Sequence, residues 1–172
     1  MVDTYNAFVR HVHKAMFPDH DNLFFQTLPS LRMQRRGETV VPYHTDSADG
    51  HPQGEINFLI PLTRMKGSAS MYIESAPGRG DFAPLDLHPG ELLRFDGNNC
   101  THGNEPHTEE EICIRMSLDF RLIQVGEYLN YIRRDEGPTI SYAKPNVSDH
   151  RPVAYIHGDY YQLMRLASQR HS

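Results

Sequence analysis

The chain has 172 residues, and its 17 lysines and arginines against 22 aspartates and glutamates give a formal net charge of −5. This length predicts one domain, spanning residues 1–172. A mean hydropathy of −0.59 and the lack of an apolar run of about 20 residues argue against a membrane protein. The lack of a long basic cluster argues against nucleic acid as a partner.

The cysteine content and the N-terminus bear on the cellular compartment. Only two cysteines occur, Cys100 and Cys113, which are too few for a disulfide scaffold. Charged residues and histidines interrupt the apolar residues near the N-terminus, where no export signal is visible. We therefore expect a cytoplasmic protein in which both cysteines are small buried residues.

Helices are expected towards the two ends of the chain. Apolar residues at spacings of three and four predict a helix over residues 3–17, which Pro18 ends. A second helix is predicted over 125–134. After it, an irregular arm with three prolines is expected over 137–158 and a short helix over 159–169, so that residues 125–172 flank the core.

Between the helices, over about residues 28–125, the hydrophobic period changes to two, as in half-buried strands. Strands are predicted at residues 31–36, 39–43, 55–62, 68–74, 85–88, 91–95 and 111–123. No helical pattern of about ten residues interrupts them, which favours an antiparallel sandwich or barrel over a βαβ fold. The predicted fold class is therefore an all-β core with a few flanking helices.

A histidine and an aspartate two residues apart form the first candidate metal site. His44 and Asp46 follow the predicted strand 39–43, and positions i and i+2 project to the same side of a strand, so both can reach one ion. An isolated pair of this kind also fits a turn histidine beside a capping aspartate. The chain holds a second such pair, His157 and Asp159, so a further residue must distinguish them.

His102 supplies a third candidate ligand, after the predicted strand 91–95 and a turn rich in glycine and asparagine. Taken alone, this position fits a histidine of a surface loop. Two histidines and one carboxylate on one face of a metal leave three positions open, which is typical of non-haem Fe(II) oxygenases. His44, Asp46 and His102 are therefore the candidate metal ligands and catalytic residues.

The predicted strand 111–123 has one apolar face and one polar face. The apolar face carries Ile112, Ile114, Met116, Leu118 and Phe120, and the polar face carries Cys113, Arg115, Ser117 and Asp119. Packing of the apolar face places Arg115 in a sheltered interior, where a guanidinium needs an anionic partner. Arg115 and Ser117 together suit the carboxylate of a small molecule. The alternative is an exposed strand face on which Arg115 pairs with acidic residues at 109–111 or with Asp119.

Two asparagines have two interpretations each. Asn57 lies between Ile56 and Phe58 on an apolar strand, so its amide should face the cavity, where it contacts a cofactor or braces an inner hydrogen-bond network. Asn98 has the same alternatives within a turn. Four further histidines are expected in solvent, namely His107, His150, His157 and His171.

The ordered set of His44 and Asp46, then His102, then Arg115 and Ser117 resembles the motif of the Fe(II)/2-oxoglutarate-dependent dioxygenases. Segments 55–63, 72–82 and 90–98 are similar to the streptomycin-biosynthesis-type branch, whose members are associated with bacterial natural products. The resemblance covers about residues 31–123 and implies a double-stranded β-helix, a cupin-like jelly roll whose open end holds iron.

The resemblance also implies roles for the candidate residues. His44, Asp46 and His102 would ligate Fe(II), and Arg115, helped by Ser117, would bind the distal carboxylate of 2-oxoglutarate, with O₂ as co-substrate. The expected activity is hydroxylation, oxidative cyclisation or desaturation of a small-molecule substrate in natural-product biosynthesis. The related halogenating enzymes have a small residue at the carboxylate position, so Asp46 predicts oxygenation rather than chlorination.

Two alternatives remain open at this point. One is a cupin-like zinc or manganese enzyme, an isomerase or hydrolase, that uses the same ligands. The other is a noncatalytic jelly roll that binds a sugar or a small acid through Arg115. Metal content, dependence on 2-oxoglutarate and turnover distinguish these alternatives from the oxygenase.

Overall fold

One long strand organises the molecule. The computed structural model describes residues 2–133, 140–141, 152–153 and 160–166. In chain order the elements are α1 (Val2–Met16), β1 (Asn22–Gln26), β2 (Ser30–Arg35), β3 (Ile56–Pro61), a 3-10 turn (Gly67–Ala69), β4 (Tyr72–Ile73), β5 (Ala83–Pro84), β6 (Leu93–Phe95), β7 (His102–Gly103), β8 (Ile114–Gln124), α2 (Val125–Arg133), β9 (Ile140–Ser141), β10 (Pro152–Val153) and β11 (Tyr161–Arg165).

Strand β8 lies at the centre of the major sheet. The order is β11-β1-β8-β3-β6, and β2 also pairs with β8, so the eleven residues of β8 are antiparallel partners of three different strands. A smaller antiparallel sheet has the order β5-β4-β7. Strands β9 and β10 form a separate pair. The expected antiparallel all-β core with flanking helices is confirmed, while the jelly-roll topology stays a prediction.

The apolar core lies on one face of the major sheet, beneath α1. The helix is amphipathic, and its buried Val9 and Val12 pack against a cluster that includes Phe58 and Phe120. These two rings face each other on paired positions of β3 and β8, stacked at 5.1 Å between centroids, and both are fully buried. Burial of large apolar side chains is the main contribution to folding.

The opposite face of β8 carries polar side chains that are equally buried. Arg115, Ser117 and Arg121 have relative exposures of 2%, 0% and 6%. The alternation expected from the sequence is therefore present, and its polar face looks into the molecule, as predicted for Arg115. Covering a polar strand face in this way requires partners for each of its groups.

The helix predictions are confirmed at the N-terminus and after the sheet, where the helices are Val2–Met16 and Val125–Arg133. The predicted helix over 159–169 is wrong, because Tyr161–Arg165 forms strand β11. Its buried Tyr161 and Met164 are three residues apart, which imitates a helical face. In the strand they pack on opposite faces of the sheet. None of the described helices is long and apolar enough to cross a membrane.

Several strand boundaries differ from the prediction. The sequence does not predict strand β1. Its three consecutive residues Leu23, Phe24 and Phe25 are all buried, so the strand shows no alternation of apolar and polar residues. The predicted strand 39–43 is irregular and ends in a single β-bridge at His44. Segments 68–74 and 85–88 form only short pairings. Within the expected irregular arm 137–158, the structure describes only β9 and β10, which are paired strands.

Replacing Phe58 by Ala should lower the free energy of unfolding by about 3–5 kcal/mol, because a fully buried aromatic ring is lost and a cavity remains. Urea unfolding followed by circular dichroism measures this change. The control is Leu129→Ala on α2, where the side chain is 37% exposed, and it should change the stability by no more than about 0.5 kcal/mol. Equal effects of the two substitutions would contradict the assigned core.

Candidate metal and cofactor site

The structure brings His44, Asp46 and His102 together. His44 and His102 form an antiparallel bridge, with backbone N–H to O=C distances of 3.0 and 2.9 Å, so their side chains emerge opposite each other. Gly103 permits this approach, since a Cβ at that position would lie 2.8 Å from the backbone of Tyr43. Asp46 follows two residues after His44, as the sequence pattern requires.

The three donor groups are oriented towards one point. The Oδ1 atom of Asp46 lies 3.4 Å from Nε2 of His44 and 3.9 Å from Nε2 of His102, and all three donor atoms lie within 4.8 Å of one another. Nδ1 of His44 lies 2.9 Å from the carbonyl of Pro42, and Nδ1 of His102 lies 3.1 Å from that of Cys100. A carbonyl accepts only from an N–H, so in the neutral form of each ring the proton lies on Nδ1 and the lone pair of Nε2 can bind a metal.

The carboxylate of Asp46 is held from behind by two side chains on neighbouring strands. Arg121 approaches with Nε at 3.1 Å from Oδ2 and Nη2 at 3.2 Å from Oδ1. The amide nitrogen of Asn57 donates to Oδ2 at 2.5 Å, and its oxygen accepts from the N–H of Gly97 at 3.2 Å. A side chain at position 97 would collide with Asn57, since a Cβ there would lie within 2.8 Å of its amide. These bonds match the bracing role of Asn57, while contact with a cofactor stays a prediction.

Burial and charge set the protonation of the donor groups. Burial alone would raise the pKa of Asp46, but the charge of Arg121 and the hydrogen bond with His44 hold it well below its ordinary value. Burial lowers the pKa of His102. The pKa of His44 is raised, because hydrogen bonds with Asp46 and the carbonyl of Pro42 outweigh its burial. Asp46 is therefore an anion and His102 a neutral imidazole at neutral pH, which are the forms that bind metals.

Arg115 lines the same pocket as His44 and His102, and no carboxylate of the described residues forms an ion pair with it. Its Nη1 donates to the hydroxyl of Ser117 at 2.9 Å, whereas its buried Nε has no hydrogen-bond partner among the residues the structure describes. Burial lowers the pKa of Arg115 to about 10. Asp119, a candidate partner in the exposed-face alternative, instead pairs with Arg32 at 2.9 Å. That alternative is wrong, because Arg115 is buried and no carboxylate of the described residues forms an ion pair with it.

One pocket connects the two histidines with Arg115. Polar side chains of the metal and anion sites line it together with apolar ones, namely Arg32, Val41, His44, Asn57, Leu59, Met71, Phe95, His102, Asn104, Arg115, Ser117, Asp119 and Arg121. The pocket therefore places two of the three candidate metal ligands and the guanidinium of Arg115 on one surface.

Arg121 is the functional residue that sequence reasoning missed. It continues the polar face of β8 two positions after Asp119, so the period of two was the signal that could have found it. Unlike Arg115, it is saturated by protein groups, since its nitrogens contact Asp46, Gln26 and Tyr160. It is therefore not available to an anionic ligand.

Three of the remaining sequence predictions can be compared with the structure. Cys100 is buried as expected, but Cys113 is exposed, because it precedes β8 rather than lying in the sheet. The prediction for His107 is wrong, since it is fully buried and its backbone bonds to the turn after β2. Asn98 is buried and donates to the carbonyl of Pro52 at 2.7 Å, which is a bracing role. His150, His157, Asp159 and His171 lie outside the described residues.

Comparisons with known proteins give one curated relative and several weak structural likenesses. No family model matches the chain. The streptomycin biosynthesis protein StrG of Streptomyces griseus is 30% identical over 135 residues, which are 78% of this chain and 61% of that protein. The chain thus spans about three fifths of the length of this relative.

Two solved structures illustrate the structural likeness. A nickel complex of the non-heme monooxygenase ThoJ has a TM-score of 0.46 and 14% identity, covering 60% of this chain and 45% of that one. CytC3 with Fe(II) and alpha-ketoglutarate has a TM-score of 0.45 and 22% identity, with coverages of 60% and 45%. Both TM-scores lie below 0.5, so these likenesses do not establish a shared function.

Replacing His44 or His102 by Ala should abolish binding of Fe(II) or Co(II), because each removes one of three converging donors. The fold should persist, since an open site is not expected to hold the core together. Anaerobic metal titration and the thermal unfolding midpoint measure the two effects. The control is His11→Ala on the exposed side of α1, which should leave metal binding unchanged. Full metal binding by His44→Ala would contradict this site.

Proposed function

We propose that this chain is an Fe(II)/2-oxoglutarate-dependent oxygenase that oxidises a small molecule in natural-product biosynthesis. The observation that carries the proposal is the buried guanidinium of Arg115, which forms no ion pair with a carboxylate of the described residues and lines one pocket together with His44 and His102, the histidines that converge with Asp46. An unpaired buried charge is costly, so a site of this kind requires an anionic ligand.

The donor set fits iron. Two imidazole nitrogens and one carboxylate oxygen converge on one point, and both histidines line the pocket. This arrangement leaves coordination positions for other ligands, as in non-haem Fe(II) oxygenases. His44, Asp46 and His102 would hold the metal, with Asn57 and Arg121 fixing the carboxylate that completes the set.

The anion site fits the far end of a 2-oxo dicarboxylate. Arg115 offers the unused Nε, and Ser117 lies beside it with its hydroxyl on Nη1. A guanidinium fork binds a carboxylate through parallel charge-assisted hydrogen bonds. The 2-oxo acid end of the same molecule would then be directed to the metal donors. When bound, iron and 2-oxoglutarate supply the O₂ activation that oxidises an unactivated C–H bond.

The other residues of the pocket control access of water. Leu59, Met71 and Phe95 line it with apolar surface, and these residues belong to one buried or half-buried cluster. Exclusion of water strengthens the electrostatic interactions inside and protects reactive species from side reactions. The similarity to a streptomycin biosynthesis protein supports a role in natural-product chemistry.

The direct test is anaerobic titration of the apoprotein with Fe(II) and then 2-oxoglutarate. The proposal predicts a weak visible charge-transfer band that requires both, followed by succinate formation when O₂ and a substrate are present. A bound zinc or manganese ion with activity independent of 2-oxoglutarate would favour the cupin-like isomerase or hydrolase instead. Tight binding of a small acid without turnover would favour a noncatalytic binding protein.

Replacing Arg115 by Ala should weaken 2-oxoglutarate binding by about 2–5 kcal/mol, because a buried charge-assisted pair loses one partner. Affinity for Fe(II) alone should change little, since Arg115 is not among the converging metal donors. Arg115→Lys should restore little, because an ammonium lacks the planar fork. Calorimetry of the iron-loaded protein measures these affinities.

The control for this experiment is Arg79→Ala. Arg79 lies on an exposed loop with its side chain 64% accessible, so its loss should leave 2-oxoglutarate binding unchanged. Unchanged 2-oxoglutarate affinity in Arg115→Ala would remove this residue from the cofactor site.

The identity of Asp46 predicts the type of product. Its carboxylate fills a metal position that a halogenating enzyme would leave for chloride, so the natural enzyme should oxygenate and not chlorinate. Mass spectrometry of the product should show a gain of one oxygen for hydroxylation, or a loss of two hydrogens for cyclisation or desaturation. Incorporation of chlorine with Asp46 intact would overturn its assignment as a ligand.

A further inference from the structure

The guanidinium that holds Asp46 is itself fixed by Tyr160, which directly precedes strand β11, and by Gln26 on β1. Besides Asp46, Arg121 contacts the phenolic oxygen of Tyr160 with Nη1 at 3.1 Å and the amide oxygen of Gln26 at 3.4 Å. Arg121 is 6% exposed, so these contacts replace water rather than compete with it. The contacts of Nη1 with Tyr160 and Gln26 therefore fix the orientation of the guanidinium, so that Nε and Nη2 point to the carboxylate of Asp46.

The neighbouring residue of the strand fixes a second buried carboxylate. The hydroxyl of Tyr161 donates to Glu55 Oε1, while Glu55 Oε2 lies 2.7 Å from Nδ1 of His51 and 3.6 Å from Nε of Arg121. Tyr161 is fully buried and Glu55 is 2% exposed. Two adjacent tyrosines thus hold the cation and the second anion that surround Asp46.

Main-chain pairing fixes where these tyrosines stand. Strand β11 pairs with β1 in a register that sets Tyr161 opposite Gln26. The N–H of Thr27 donates to the carbonyl of Tyr160 at 2.7 Å. Because β1 also pairs with β8, on which Arg121 lies, Tyr161 and Arg121 belong to one sheet, and Tyr160 directly precedes its strand β11. Their relative positions are therefore set by backbone hydrogen bonds.

The orientation of Asp46 depends on this arrangement. Asp46 lies in an irregular turn after His44, so no strand pairing holds its side chain. The fork of Arg121 and the amide of Asn57 fix the plane of its carboxylate, which leaves Oδ1 facing the two Nε2 atoms. Partners that orient a metal ligand in this way contribute strongly to metal affinity.

We propose that Tyr160 and Arg121 are positioning residues of the metal site, and that the C-terminal strand completes a site whose ligands all lie before residue 103. This inference rests on the proposed function, because it takes Asp46 as a metal ligand. It assigns a role to a part of the chain beyond the segment 31–123, which carries the sequence motifs.

The experiment uses Co(II), whose visible d–d bands report on ligand geometry, with three variants of the full chain. Tyr160→Phe removes only the hydroxyl on Arg121, and Arg121→Lys keeps the charge but loses the fork. The matched control is Tyr5→Phe, which removes a hydroxyl bonded to the carbonyl of Gln26 at 2.7 Å while its ring packs on Phe120, on the opposite face of the sheet.

Arg121→Lys should weaken Co(II) binding by about 10- to 100-fold and shift the d–d bands. Tyr160→Phe should also weaken Co(II) binding and shift the d–d bands, by smaller amounts. Tyr5→Phe should change neither the Co(II) affinity nor the bands. Thermal unfolding of each variant measures how much stability is lost. If Arg121→Lys does not fold, Tyr160→Phe decides the question by itself.

Two results would overturn the proposal, and they have different meanings. If wild type binds Co(II) through His44 but folded Tyr160→Phe and Arg121→Lys keep its affinity and spectrum, the positioning role fails while the metal site stands. If His44→Ala binds Co(II) as wild type does, the metal site itself fails, and the positioning role fails with it.

Discussion

Two arginines, Arg115 and Arg121, are buried on the same face of β8, and the candidate site depends on how their charges are compensated. Arg121 is saturated by Asp46, Gln26 and Tyr160, whereas among the described residues Arg115 donates to the Ser117 hydroxyl and to no carboxylate. Each charge has lost its hydration, which costs several kcal/mol unless an anion replaces it. For Arg121 the protein provides that anion. For Arg115 no carboxylate of the described residues does, and this is the observation behind the proposed anionic ligand.

In the proposed function, the two charges act on the same candidate metal site in different ways. Arg121 fixes Asp46 and keeps its carboxylate ionised, so the ligand set exists before any metal binds. Arg115 lies in the pocket on which His44 and His102 also open. A ligand that bridges metal and guanidinium is therefore held at both ends. Such preorganisation contributes to affinity because little order has to be created on binding.

Much of this arrangement could be predicted from the sequence, because it follows from local periods. The alternation along β8 places Arg115 on an inner face, and the spacing of His44 and Asp46 places both on one side of the chain. What escaped prediction depends on tertiary contacts. Strand β1 is buried on both faces and shows no alternation, and the spacing of apolar residues in β11 imitates a helix. The contact of Tyr160 with Arg121 joins segments 39 residues apart.

The central claim is that one ligand joins the metal donors to Arg115. A crystal structure of the chain grown anaerobically with Fe(II) and 2-oxoglutarate tests it most directly. We predict an anomalous iron peak between His44, Asp46 and His102, and continuous density for 2-oxoglutarate from that peak to the guanidinium of Arg115. Iron bound elsewhere, or Arg115 paired with a protein carboxylate while 2-oxoglutarate binds without it, would contradict the account.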